Sequence, residues 1–248
     1  MYSVRDVAKS DLKSALKAVS DLGYKYVEFA GFFGNSAETV KGWLDELGLL
    51  AIGTHTGIDA IRPEAIDETI AYHNTIGARY LTVPAASWNT EEQMADNISV
   101  MNAALPKLKD AGIELGYHNH SREFYKTHYG KTVIDEIISG TNLLLEIDTF
   151  WLYNAGIDPV PYLEEHKDRI RLIHLKDGTV DKTITRTVDN PHDGAVGYSV
   201  GDGELPISDI VAWARRNNVE LVIESEGLDP DGPSEVARCI KNLITIEK

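Results

Sequence analysis

Carboxylates, imidazoles and one ammonium recur in pairs two residues apart: His118 with His120, Glu146 with Asp148, His174 with Lys176, and Glu224 with Glu226. In a strand, residues i and i+2 point to the same side, so each pair presents two polar groups together. Each pair follows an apolar run, the clearest being LLLEIDTFW (143–151), which fits a strand covered on both faces as in a parallel sheet. Burying Glu146 beside Asp148 is costly unless a cation or a proton neutralises them. Read singly, Glu146 fits a salt-bridged core acid, Asp148 a turn residue, and each His a satisfied core histidine. Their recurrence at the ends of successive strands argues for one site holding a divalent ion, Mn²⁺ foremost, with Co²⁺, Mg²⁺ and Zn²⁺ as alternatives. No thiolates accompany the set, so a structural zinc centre is not expected.

The elements that must position these groups follow a repeated phrase of helix, glycine and strand. It reads DLGYKYVEFAG (21–31), ELGLLAIGTHTG (46–57), TIGARYLTVPA (75–85) and DAGIELGYHNH (110–120). Gly23, Gly48, Gly77 and Gly112 stand where a left-handed residue ends a helix. Helical spacing precedes them, as in Leu12, Leu16, Val19 and Leu22, or Val40, Trp43, Leu44 and Leu47. Ser36 is a candidate N-cap, Pro63 a first-turn proline, and Pro106 a kink or break. The second half continues with strands at 143–149, 170–178 and 220–227 and helices after Asp158 and over 207–219 and 233–247. A polar stretch of roughly thirty residues, 178–205, is long enough to be functional or mobile. Seven strands are clear, and Met1–Ser3 reads as the end of an eighth. With no dividing linker, the expected architecture is one α/β domain over 1–248, a (β/α)₈ barrel. An open doubly wound sheet would need a glycine-rich phosphate turn that no strand carries.

Composition narrows the function. The 248-residue chain carries a formal charge of −15 and a single cysteine. The charge repels nucleic acid and anionic membranes, and Cys239 can form no intrachain disulfide, which fits the cytoplasm. No run approaches the ~20 apolar residues of a membrane span, and MYSVRDVAKSD lacks a signal-peptide core.

YSVRD (2–6), YHNHSREF (117–124), EIDTFWLYNAGIDPVPYL (146–163), IRLIHLKDG (170–178) and VGDGELPI (200–207) together resemble the sugar isomerase/epimerase superfamily with the xylose-isomerase-like barrel. They look like one subgroup named sugar phosphate isomerase/epimerase, and the superfamily is related to endonuclease IV. The resemblance covers nearly the whole chain. It implies a TIM barrel and one divalent ion held by Glu, Asp, His and Glu from successive strands, and it places Asp148, His174 and Glu224 on the last three positions. His118 stands where ketose epimerases carry the first Glu. Either His118 is a ligand, or Glu146 reaches the ion and restores the negative charge. Family members also carry more residues before YSVRD, so strand one is expected to be short and barrel closure is in question.

The expected activity is isomerisation or epimerisation of a small sugar, keto-sugar or sugar phosphate. The ion would bind two neighbouring oxygens and stabilise an enediolate, with Glu224 or Glu146 moving the proton. Lys176 would hold a phosphate, a carboxylate or an enediolate oxygen, or else extend to solvent. His120, His55 and Glu28 are further candidate substrate contacts, and Trp151 either faces a sugar ring or packs. Arg122 and Glu123 read as a loop ion pair. The same carbanion would also serve a 3-keto-glycoside lyase or hydrolase, or a dehydratase. A silent sugar-binding barrel is the non-enzymatic alternative, favoured by His118 in place of Glu. Neither nucleic acid nor membrane is an expected partner; a homodimer is compatible.

Overall fold

Residues 1–246 are described by a computed structural model. The four glycines after the helical stripes all adopt positive φ, from 65° at Gly48 to 93° at Gly23, and each turns the chain into the next strand. Helix starts are set by side chains: Asp11 accepts from Ser14 N, Ser36 from Thr39 N, and Thr90 from Gln93 N. Pro63 does not open a helix. It lies in the turn before Ile66–Ile76, where Ala65 N and Ile66 N both donate to Arg62 O. Pro106 does not break one either, because Glu91–Asp110 buries Met94, Val100, Met101, Ala104 and Leu108 on both sides of it. That apolar face offsets the single hydrogen bond a proline removes.

The strands alternate with these helices. They are β1 (Tyr26–Phe29), β2 (Leu50–His55), β3 (Tyr80–Val83), β4 (Glu114–His118), β5 (Leu144–Asp148), β6 (Ile170–Leu175), β7 (Asp177–Val180), β8 (Ala195–Tyr198) and β9 (Glu220–Ile223). Seven of them form one parallel sheet in the order β1-β2-β3-β4-β5-β6-β9, a nearly closed TIM barrel with helices around it. The expected strand 170–178 divides at Lys176, and β7 pairs antiparallel with β8 as a hairpin above the barrel. Three apolar clusters join helices to the outer faces of the strands. A fourth, of Ile52, Tyr80 and Leu172 with Leu144 and Val222 against it, plugs the interior.

Among the described residues, β1 and β9 do not pair. Met1–Ser3 do not form the expected eighth strand: Tyr2–Val4 form a 3₁₀ turn instead, closed by Val4 N donating to Met1 O at 3.2 Å. This turn satisfies locally the groups a ladder would have used. It bridges the gap at its upper end: the Met1 ammonium donates to the Glu28 carbonyl, and Ser3 Oγ accepts from Ser225 N at 3.1 Å. Below it, a cavity of about 350 Å³ remains between the two strands, lined by Val27, Ile52, Val222, Val236 and Leu243 among others.

Candidate active site

All the paired residues noted in the sequence come together at the C-terminal ends of β4, β5, β6 and β9. His174, last but one in β6, is the hub. Its Nε2 donates to Glu28 Oε2 at 2.6 Å and also meets Glu146 Oε1. Glu146 accepts in addition from His55 Nε2 at 3.1 Å, and His118 Nδ1 lies 3.7 Å from the same oxygen. Glu28 needs room to reach across the barrel, and Gly53 provides it, since a Cβ there would lie 3.1 Å from Glu28 Oε1. On the other side of the ring, His174 Nδ1 lies 2.9 Å from Glu224 Oε2.

The electrostatics of this cluster set buried carboxylates against imidazoles and one ammonium. Burial opposes charge on His174, but Glu146, Glu224 and Glu28 outweigh it and hold its pKa well above the ordinary imidazole value. Burial likewise opposes ionisation of Glu146 and Glu224. His174 and His55 beside the first, and His174 and Lys176 beside the second, nevertheless keep both well below the usual carboxylate range. Burial lifts the Asp148 carboxyl to about 7 despite the nearby Lys176. Burial, reinforced by His174 and His55, pushes His118 well down, so its imidazole is neutral.

Several of these buried atoms have no hydrogen-bond partner: His118 Nδ1, Asp148 Oδ2 and His174 Nδ1, together with Glu146 Oε2 and Glu28 Oε1. His174 Nδ1 faces Glu224 Oε2 at 2.9 Å, so a proton on Nδ1 or a metal ion must lie between them, because two lone pairs at that distance repel. Donor atoms of Asp148, His174 and Glu224 lie within 4.8 Å of one another, as do those of His55, His118, Glu146 and His174. Mixed oxygen and nitrogen donors in this arrangement suit a divalent ion.

A mouth of about 420 Å³ opens above, lined by Tyr2, His55, His118, His120, Glu224 and Glu226 among others. Burial, then Lys176, lowers the His120 pKa to about 3, so this imidazole is neutral too. A family model, the xylose isomerase-like TIM barrel, matches residues 16–243. The chain belongs to that family.

Two curated relatives are inosose dehydratases. The one from Clostridium botulinum is 25% identical over 271 aligned positions, covering 95% of this chain and 89% of that protein. The one from Clostridium tetani is 26% identical over 161 positions, and there the chain spans about half, 53%, of the relative. A solved sugar phosphate isomerase/epimerase from Parabacteroides distasonis superposes with a TM-score of 0.78 at 23% identity, covering 98% of this chain and 95% of that one. No helix among the described residues is long and apolar enough to cross a membrane.

Within this xylose isomerase-like barrel the remaining site candidates are placed as follows. Lys176 does not extend to solvent; it is 1% exposed, ion-paired to Glu226 and 3.4 Å from Glu224 Oε1. Trp151 is buried, its ring 4.3 Å from the Lys176 ammonium and 4.3 Å from the imidazole of His192. Glu28 lies beneath His174, away from the mouth. Arg122 and Glu123 make no ion pair: Arg122 donates to Asn89 Oδ1, whereas buried Glu123 accepts from Tyr117 OH and His120 N. The sequence reading therefore missed Glu123 as the anchor of the His120 backbone.

It also missed Asp177, whose carboxylate accepts from the backbone N–H of Gly178, Gly201, Gly203 and Leu205 at 2.8 to 3.2 Å. Gly203 must be glycine, because a Cβ would overlap Asp177 Oδ1. The signal was present in the VGDG phrase (200–203), whose glycines permit such close backbone approach. His192, which reaches Trp151 from the 178–205 stretch, carried no signal beyond its residue type.

Proposed function

We propose that this chain is a divalent-metal-dependent enzyme that removes the proton from the carbon beside the ketone of a small polyol. The observation that carries the reading is the convergence of Asp148, His174 and Glu224 donor atoms to within 4.8 Å of one another, with Asp148 Oδ2 and His174 Nδ1 buried and unpartnered, and with unpartnered His118 Nδ1 next to them beside Glu146. His118 Nδ1, Asp148 Oδ2, His174 Nδ1 and Glu224 Oε2 would hold the ion. Glu146 and Glu28 then act from behind, fixing the tautomer and orientation of His174. A divalent ion there supplies Lewis acidity toward a carbonyl and a neighbouring hydroxyl oxygen.

Glu224 is the carboxylate that faces both the donor set and the mouth, so it takes the proton. His120 and His55, at the mouth, hydrogen-bond the substrate hydroxyls and fix the carbon to be deprotonated. Epimerisation would need a second base on the opposite face of that carbon. Glu146, the residue expected there, is buried beneath His174 and committed to His55 and His174. A single base at the mouth suits loss of a β-hydroxyl, and similarity to two inosose dehydratases along the chain supports the same outcome. Isomerisation with the proton returned on one face is the second reading, supported by the single-base geometry itself.

Incubating metal-loaded protein with an inosose in heavy water separates the readings. Dehydration yields an ultraviolet-absorbing dicarbonyl product, and Glu224→Gln is expected to slow it by about 10² or more, the scale of a lost general base. Deuterium entering a ketose without loss of water favours isomerisation. If both ketones remain untouched while the ion is bound, the enzyme reading fails and a sugar-binding barrel replaces it.

A further inference from the structure

Among the described residues, Lys176 is the one lysine or arginine at the heart of the site, yet it is not available to a ligand. Its ammonium meets Glu226 Oε1 directly, Glu224 Oε1 at 3.4 Å and Asp148 Oδ2 at 3.8 Å, with the Trp151 ring 4.3 Å away. An ammonium has three donors, and three carboxylates surround this one. Glu226 is the outermost of them, with a side chain 35% exposed at the rim. It covers Lys176 and presents negative charge to whatever enters.

Among the described residues lining the mouth there is no lysine or arginine. Arg5, behind Tyr2, donates to the carbonyls of Tyr2 and Glu226 at 2.9 and 3.3 Å. Glu28 and Glu146 are paired with His174 and His55, so the charges an entering group meets at the rim are Glu224 and Glu226, with the lysine buried behind them. A phosphate dianion brought to this rim meets repulsion in a partly dehydrated setting, where charges act strongly. Uncharged hydroxyls meet no such cost and can donate to the rim carboxylates or to the neutral imidazoles.

We infer that the site admits uncharged polyols and excludes their phosphate esters, and that Glu226 sets this selection by occupying Lys176 and charging the rim. The inference rests on the polyol reading above and assigns Glu226 a specificity role.

The test is calorimetric titration of inorganic phosphate and of fructose 6-phosphate into wild type, Glu226→Gln and Glu226→Asp, each with its divalent ion and after chelation. Glu226→Gln keeps the side-chain size while freeing Lys176 and removing one charge. It is expected to tighten phosphate binding about tenfold or more in both metal states, a 1.4 kcal/mol change. Glu226→Asp keeps the charge and should exclude phosphate as wild type does, an outcome that a purely structural role for Glu226 would not produce. Equal phosphate affinity in wild type and Glu226→Gln overturns the inference. So does fructose 6-phosphate binding to metal-loaded wild type at about millimolar affinity or better. Metal content is measured on the same samples, so an empty ion site with the phosphate shift intact would reject the catalytic reading and leave the selection by Glu226 standing.

Discussion

A buried imidazole between carboxylates can carry a second proton or face a metal ion, and the two nitrogens of His174 divide those possibilities. Nε2 is committed to Glu28 and Glu146, which leaves Nδ1 facing Glu224 to carry either the second proton or a bound ion. If the donor set is His118, Asp148, His174 and Glu224, His118→Ala should weaken Mn²⁺ or Co²⁺ binding by well over about 100-fold, since a ligand is lost. Glu146→Gln should weaken it by about 10- to 100-fold, the range for a residue that orients a ligand. Competition titration with a metal-sensitive dye reads both, and the reverse order would put Glu146 on the ion. The polar pairs themselves were legible in the sequence because residues two apart on a strand share a side. Their division of labour was not: it depends on Glu28 reaching His174 from across the barrel, 146 positions away in the chain.

At the scale of elements, helix ends and strand starts could be read from Ser36, Gly48 and Gly77, which cap as their residue types prefer. The stretch after β6 could not, because its order comes from one side chain. Asp177 gathers four backbone N–H groups and thereby ties the two ends of 178–205 together, with His192 against Trp151 and its ring 6.0 Å from that of His120. Asp177→Ala leaves those donors without their acceptor, so it should cost on the order of 3 kcal/mol of stability. Denaturant unfolding measures this, and limited proteolysis should cut within 181–194 sooner than in wild type. Asp177→Asn, which keeps one acceptor oxygen, should fall between the two.

For the whole molecule, the βα alternation was enough to predict a barrel, since parallel strands need covered faces and each crossover supplies a helix. The number of strands was less legible. Whether Met1–Ser3 pairs or turns is decided by a few backbone hydrogen bonds rather than by any pattern in the side chains. The outcome predicts an uneven wall. Amides of β1 and β9, each with one strand neighbour, should exchange with heavy water before those of β4, β5 and β6, which have two. Uniform protection around the ring would contradict the open arrangement. A ring with a slit also behaves mechanically unlike a hoop: it can widen along the slit with every other joint intact. The four proposed ligands all follow strands of the unbroken arc β4-β5-β6-β9, and the Met1–Val4 turn ties the slit at the height of the site. Widening is confined to the lower part of the wall, as when the handles of a clamp flex and its jaws stay set, and the expected consequence is a steep preference among divalent ions of different radius.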